Sequence, residues 1–77
     1  MEKIDQAIAN VLRDLREKKG LSQEQLSFDA ELHRTYISQL ERGLKSVTVK
    51  TLIKITTVLE IEIDVFMKKV INESKKL

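Results

Sequence analysis

The chain has 77 residues and a formal net charge of +2, from 14 basic and 12 acidic side chains. It contains no cysteine and only one histidine, His33, which excludes a disulfide framework, a thiolate nucleophile and a multi-ligand zinc site. No apolar run approaches the length of a membrane span or a signal peptide, so the expected location is the cytoplasm. We expect one small domain without cofactor, metal or small-molecule ligand.

The first predicted helix is amphipathic and runs from Ile4 to Lys19. Gly20 can end it as a left-handed C-terminal residue, and the lysines of its last turn suit the negative end of the helix dipole. Its apolar side chains recur at helical spacing at Ile4, Ala7, Ile8, Val11, Leu12 and Leu15.

The second predicted helix is short and begins after Ser22. Gln25 follows three residues later, which gives the Ser-x-x-Gln form of the capping box. Leu26 and Ala30 form the inward face, with Phe28 partly buried. The helix is expected to end near Ala30.

A turn over residues 31–33 leads to a third predicted helix, residues 34–42, which Gly43 ends. The turn contains no glycine. If it requires a left-handed residue, Glu31 must supply that conformation at a cost of roughly 1 kcal/mol. Two helices joined by so short a turn have the spacing of a helix-turn-helix motif.

Two more helices follow. Thr48 is a good N-cap for the fourth, in which apolar residues recur at helical spacing as far as Leu59. Asp64 is predicted to cap the fifth, residues 65–73. The predicted fold class is therefore all-α, a compact five-helix domain over residues 1–77 with its helix-turn-helix at about 22–42.

The sequence offers little support for an enzyme. His33, the only imidazole, falls at a helix start, and Ser22 is explained by capping. The two glycines form no loop that could hold a phosphate, and such short helices leave little room for a ligand cleft. We therefore expect no catalytic activity.

Positive charge is concentrated in the middle of the chain. Residues 32–59 contain five basic residues and one acid, and residues 42–59 contain no acid at all. A small domain can attract phosphate to one face in this way while it stays near neutral overall. Chance clustering on a solvated surface explains this distribution equally well.

The exposed face of the third helix is the stronger candidate site. Ile37 and Leu40 occupy the opposite face. In the major groove, Arg can make two hydrogen bonds to guanine, Gln can make two to adenine, and the Thr methyl group can contact thymine. An ordinary polar helix would look similar alone, but the capped second helix, the turn spacing and the basic run favour DNA. The polar face consists of Arg34, Thr35, Ser38 and Gln39.

Two segments, LSQEQL at residues 21–26 and YISQLERG at residues 36–43, resemble the helix-turn-helix of phage-repressor and Cro-type (XRE-like) proteins. The chain length and the segment RTYIS at residues 34–38 are similar to the controller proteins of restriction–modification systems. The resemblance implies a homodimer that binds a near-palindromic operator in double-stranded DNA, and that both activates and represses its own operon.

The resemblance also implies roles for individual residues. It assigns base contacts to Arg34, Thr35 and Gln39, and the helix face adds Ser38. Arg16 and Glu41 match a structural pair that bridges the first and third helices. Many relatives have glycine where this chain has Glu31. Contacts with the DNA backbone are expected at Ser22, Gln23, His33, Tyr36, Arg42, Lys45 and Ser46.

The last two helices carry more apolar surface than one small core needs. Such a surplus predicts self-association through residues 48–73, although these side chains could instead complete the core. A two-fold dimer would hold two recognition helices about 34 Å apart, one turn of DNA. The candidate interface residues are Ile53, Ile61, Ile63, Val65, Phe66 and Val70.

Other functions fit the same sequence. A phage-type repressor or an antitoxin that silences its own operon would also bind DNA, and the neighbouring genes would distinguish these cases. A protein-interaction module without DNA binding belongs to another class, and salt titration of DNA binding would distinguish it. For the controller, Glu24 and Asp29 are candidate contacts with RNA polymerase.

Overall fold

The computed structural model describes residues 3–77, in which five α-helices and no strand are present. This confirms the all-α prediction, and the predicted helix ends agree to within two residues. The helices are α1 (Lys3–Lys18), α2 (Gln23–Asp29), α3 (Arg34–Glu41), α4 (Val49–Val58) and α5 (Ile63–Ser74). None of those described is long and apolar enough to cross a membrane.

One hydrophobic core joins all five helices. α1 lies between α5 and α3, and α2 packs on α3. Because each helix is amphipathic, its apolar stripe faces this centre and its charged positions face solvent. The largest fully buried side chains are Phe66, Leu12, Leu26, Ile37, Leu40, Ile55 and Val70.

Side-chain caps define the starts of α2 and α4. The hydroxyl of Ser22 accepts a hydrogen bond from the Gln25 backbone N–H at 3.0 Å, and Thr48 accepts one from the Thr51 N–H at 3.1 Å. Both caps were predicted, and each satisfies a backbone donor that has no partner within its helix. The Gln25 carboxamide donates forward to Asp29 at 2.9 Å and does not return to the Ser22 backbone, so only the serine half of the predicted capping box forms.

Two local predictions were wrong. Phe28 is 79% exposed, because two steps along a helix turn the chain by about 200° and Leu26 already faces the core. Asp64 does not cap α5, which begins two residues earlier with Glu62 at the N-cap position. Asp64 instead lies in the first turn, where its charge suits the helix dipole.

Left-handed residues end several helices. Gly20 and Gly43 have φ angles of 76° and 72°, and Glu31 has a φ of 58°, as the turn without glycine predicted. Glu60, between α4 and α5, has a φ of 55° that the sequence did not indicate. Residues other than glycine adopt this backbone conformation at a cost of about 1–2 kcal/mol.

Candidate nucleic-acid interface

The core fixes which face of α3 points outward. Ile37 and Leu40 are buried against the other helices, so Arg34 and Thr35 project into solvent. Ser38 and Gln39, further along the same helix, are half-buried. The four predicted base-contacting residues therefore share one helix, but its first turn is the more accessible.

The predicted backbone-contacting residues surround this face, with different exposures. His33 is exposed at the N-cap of α3 and makes no side-chain capping bond. Tyr36 is half-buried against the core, and Gln23 is half-buried at the start of α2. The remaining members are all exposed, namely Ser22, Arg42, Lys45 and Ser46.

The end of α3 positions the basic segment that follows it. The Leu44 N–H donates to the Gln39 carbonyl at 2.9 Å across the left-handed Gly43, a hydrogen bond typical of a glycine-ended helix. The chain then leaves the helix axis and carries Lys45 outward. The Ser46 hydroxyl donates to both carboxylate oxygens of Asp5, at 3.1 and 3.2 Å, which ties this loop to α1.

A buried ion pair connects α1 to α3. Arg16 donates from Nε to Glu41 Oε2 at 2.6 Å and from Nη2 to Glu41 Oε1 at 2.9 Å. The two residues are 8% and 2% exposed. The hydrogen bonds to Glu41 raise the pKa of the Arg16 guanidinium against the opposing effect of desolvation. The pair that the resemblance implied thus sets how α3 sits on α1.

The same network reaches the start of α2. Arg16 Nη1 donates to the Leu21 carbonyl at 2.7 Å, and the Gln23 carboxamide donates to Glu41 Oε1 at 3.1 Å. Arg13 adds a hydrogen bond to the Glu41 carbonyl at 3.1 Å. α3 is therefore held directly to α1, whereas α2 is held through Glu41 and through Leu21, two residues before the helix begins.

The predicted self-association surface divides into two groups. Ile53 and Val65 are 51% and 44% exposed, and Ile61 and Ile63 are half-buried beside them. These isoleucines line a groove of about 430 Å³ between α4 and α5. Phe66 and Val70 have no exposed surface, because both complete the core of the protomer. Those two residues are therefore removed from the predicted interface.

Residues 3–77 contain no cluster of three or more histidine and carboxylate side chains that could hold a metal ion.

Sequence reasoning missed three long-range contacts. They are the hydrogen bond from Gln23 to Glu41, the hydrogen bonds from Ser46 to Asp5, and the ion pair of Lys19 with Glu60. The partners are 18, 41 and 41 residues apart. No local pattern connects residues at such separations, so the sequence held no signal for them.

Comparisons with known proteins extend these observations. Residues 12–66 match a protein-family model described as helix-turn-helix. The chain is 44% identical over 45 residues to the control protein C.BamHI of Bacillus amyloliquefaciens, and 46% identical over 50 residues to the control protein C.SmaI of Serratia marcescens. These matches cover 58% and 65% of this chain. They span 56% and 60% of the two relatives, less than two thirds of either.

Solved structures resemble nearly the whole chain. The restriction–modification controller protein C.Esp1396I, a tetramer in complex with its natural 35 base-pair operator, is 34% identical with a TM-score of 0.88. That match covers 96% of this chain and 97% of the other. The clp gene regulator ClgR of Corynebacterium glutamicum shares only the fold, at 24% identity and a TM-score of 0.89, over 94% of this chain and 77% of its own.

Proposed function

Since this chain belongs to the helix-turn-helix family, and within it to the restriction–modification controller proteins, we propose that it regulates a restriction–modification operon by binding operator DNA as a homodimer. One observation carries the proposal. The first turn of α3 projects Arg34 and Thr35 outward from a buried base of Ile37 and Leu40, with exposed cations beside it. Such a helix suits the major groove.

In this proposal the two helices of the motif divide the work. Arg34, Thr35, Ser38 and Gln39 read base edges, because their side chains share the outer part of α3. Ser22 and Gln23 at the start of α2 contact phosphate, and His33, Tyr36, Arg42, Lys45 and Ser46 flank the groove. Contacts with phosphate position the protein, while contacts with base edges specify the sequence.

Dimerisation through α4 and α5 brings two such motifs together. The groove lined by Ile53, Ile61 and Ile63 lies beside the exposed Val65. Burial of this apolar surface against its two-fold equivalent would remove it from water. A dimer is also needed for specificity, since a single α3 offers too few base contacts for a long operator.

We further propose regulation by occupancy, as the resemblance to controller proteins implies. At low occupancy the dimer would activate transcription by contact with RNA polymerase, and at full occupancy it would repress. Glu24 and Asp29, both exposed on α2, are the proposed polymerase contacts, with the exposed Phe28 between them. Transcription assays with purified polymerase test this assignment. The double variant Glu24→Ala, Asp29→Ala should lose activation but keep its affinity for the operator. Unchanged activation would contradict the assignment.

Salt titration tests the proposed DNA binding itself. Fluorescence anisotropy of a labelled duplex should give log K falling linearly with log salt, with a slope near −0.9 for each neutralised phosphate. Absence of binding to every duplex at low salt would refute the proposal. It would favour a protein-interaction module instead.

A further inference from the structure

The Glu41 carboxylate contacts more than its ion-pair partner. Its Oε1 atom accepts from Arg16 Nη2 at 2.9 Å and from Gln23 Nε2 at 3.1 Å, while Oε2 accepts from Arg16 Nε at 2.6 Å. Glu41 is 2% exposed, and Gln23 is half-buried. Because Arg16 engages both oxygens, the carboxylate cannot rotate freely. Oε1 is therefore a fixed acceptor for the Gln23 side chain.

We propose that Glu41 is a positioning residue for DNA binding, which holds the Gln23 carboxamide in the orientation that donates to a phosphate. This inference rests on the proposed function, in which Gln23 contacts the DNA backbone. A primary amide carries two N–H groups. One is donated inward to Glu41, so the second is the donor for the phosphate.

The ion pair makes this arrangement electrostatically acceptable. A bare carboxylate beneath the DNA surface would repel phosphate, but the Arg16 guanidinium neutralises Glu41 within the protein. The neutral Gln23 amide can then bridge from the buried acceptor to the DNA. A side chain ordered before binding also loses less conformational freedom on binding.

A double-mutant cycle tests the proposal. Gln23→Ala should weaken operator binding roughly 10- to 150-fold in the wild-type protein, the scale of one hydrogen bond to a charged group. The second background is Arg16→Met with Glu41→Leu, since apolar replacement of a whole buried ion pair is often tolerated by the fold. In that background Gln23→Ala should have little further effect, because Gln23 has already lost its fixed acceptor.

The controls separate positioning from stability. Circular dichroism melts give the folded fraction of each variant. Each dissociation constant is then calculated from the concentration of folded protein. Gln25→Ala alters an exposed glutamine two residues away that bonds only within α2, and it should leave affinity unchanged in both backgrounds. The salt slope should also stay constant in all Gln23 variants, because an amide releases no counterion.

A spectroscopic measurement remains informative if the apolar double variant does not fold. In ¹⁵N-labelled wild-type protein, the Gln23 carboxamide protons should already be displaced from their random-coil shifts before DNA is added. Ordering of that amide only in the presence of DNA would overturn the proposal. So would a Gln23→Ala effect of equal size in both backgrounds, or none in the wild type. Failure of the wild-type protein to bind any duplex would instead refute the proposed function.

Discussion

Arg34 and Lys45 are both exposed cations, but we expect their removal to have different consequences. Arg34→Ala should cost roughly 1–3 kcal/mol on the operator and relax base preference at one or two positions, because it would remove the proposed bidentate contact with a base. Lys45→Ala should weaken binding to all sequences alike. It should also reduce the magnitude of the salt slope by about 0.9, the contribution of one neutralised phosphate. Affinities for operator and scrambled duplexes, measured at several salt concentrations, check both expectations. Loss on every duplex from both substitutions would show that this division of roles is wrong.

Glu31 stores conformational strain in the turn of the motif. Its φ of 58° is unfavourable for a side chain with a Cβ atom. Glu31→Gly should therefore raise the free energy of unfolding by about 0.5–1 kcal/mol, after the greater unfolded-state entropy of glycine is subtracted. Urea denaturation measures the change, and Glu31→Ala is the control that removes the charge but keeps the strain. Equal stability of the glycine and alanine variants would contradict this explanation.

At the scale of the elements, one surface ion pair connects the end of α1 to the turn between α4 and α5. The hydrogen bond from Lys19 lowers the pKa of the Glu60 carboxyl. A lowered folded-state pKa stabilises the protein above the unfolded-state pKa, and the effect is lost as pH falls through the folded-state value. Between about pH 6 and pH 3, wild-type protein should lose slightly more stability than Lys19→Met. Thermal melts of the two proteins at both pH values and low salt measure the difference. An identical pH dependence of stability in the two proteins would contradict a role for this ion pair.

The helices themselves could be predicted because their determinants are local. The caps at Ser22 and Thr48 and the apolar stripe of α1 each lie within a few residues in the sequence. The exposure of Phe28 also follows from its position on the helix. The prediction was wrong because it gave more weight to the hydrophobicity of Phe28 than to that position. The start of α5 was misplaced because Asp64 is a good capping residue that also suits a first turn.

The site could be predicted only in part. The outward face of α3 follows from helical periodicity, since Ile37 and Leu40 must point inward. Arg16 and Glu41 are 25 residues apart, and only the family resemblance indicated their pairing. The hydrogen bond from Gln23 to Glu41 depends on the angle between α2 and α3, which side-chain packing determines and no sequence pattern reports.

At the scale of the whole molecule, the proposed dimer depends on surface that one protomer leaves exposed. Val65→Asp should yield monomer at micromolar concentration, because it places a charge in an apolar contact without a partner. Analytical ultracentrifugation measures the change. Ile71→Asp is a matched control, because Ile71 is a similarly exposed apolar residue on a different face of α5. If the dimer persists in Val65→Asp but is lost in Ile71→Asp, the interface lies on the face of α5 that carries Ile71.

Dimerisation was also the hardest property to judge from the sequence. Phe66 and Val70 have the same apolar character as Val65, and only their burial in the structure separates core from surface. The proposed interface therefore depends on Ile53, Val65 and the groove beside them. The chain supplies both an outward-facing α3 and an exposed apolar patch, which a two-fold dimer on DNA requires.

Footprinting on the DNA upstream of its own gene tests the central proposal most directly. The protein should protect a near-palindromic site whose two half-sites lie about one helical turn, 10–10.5 base pairs, apart. Protection should weaken with rising salt and should be reduced by Arg34→Ala. If no region of that DNA is protected at any protein concentration at low salt, the chain does not regulate its own operon in this way.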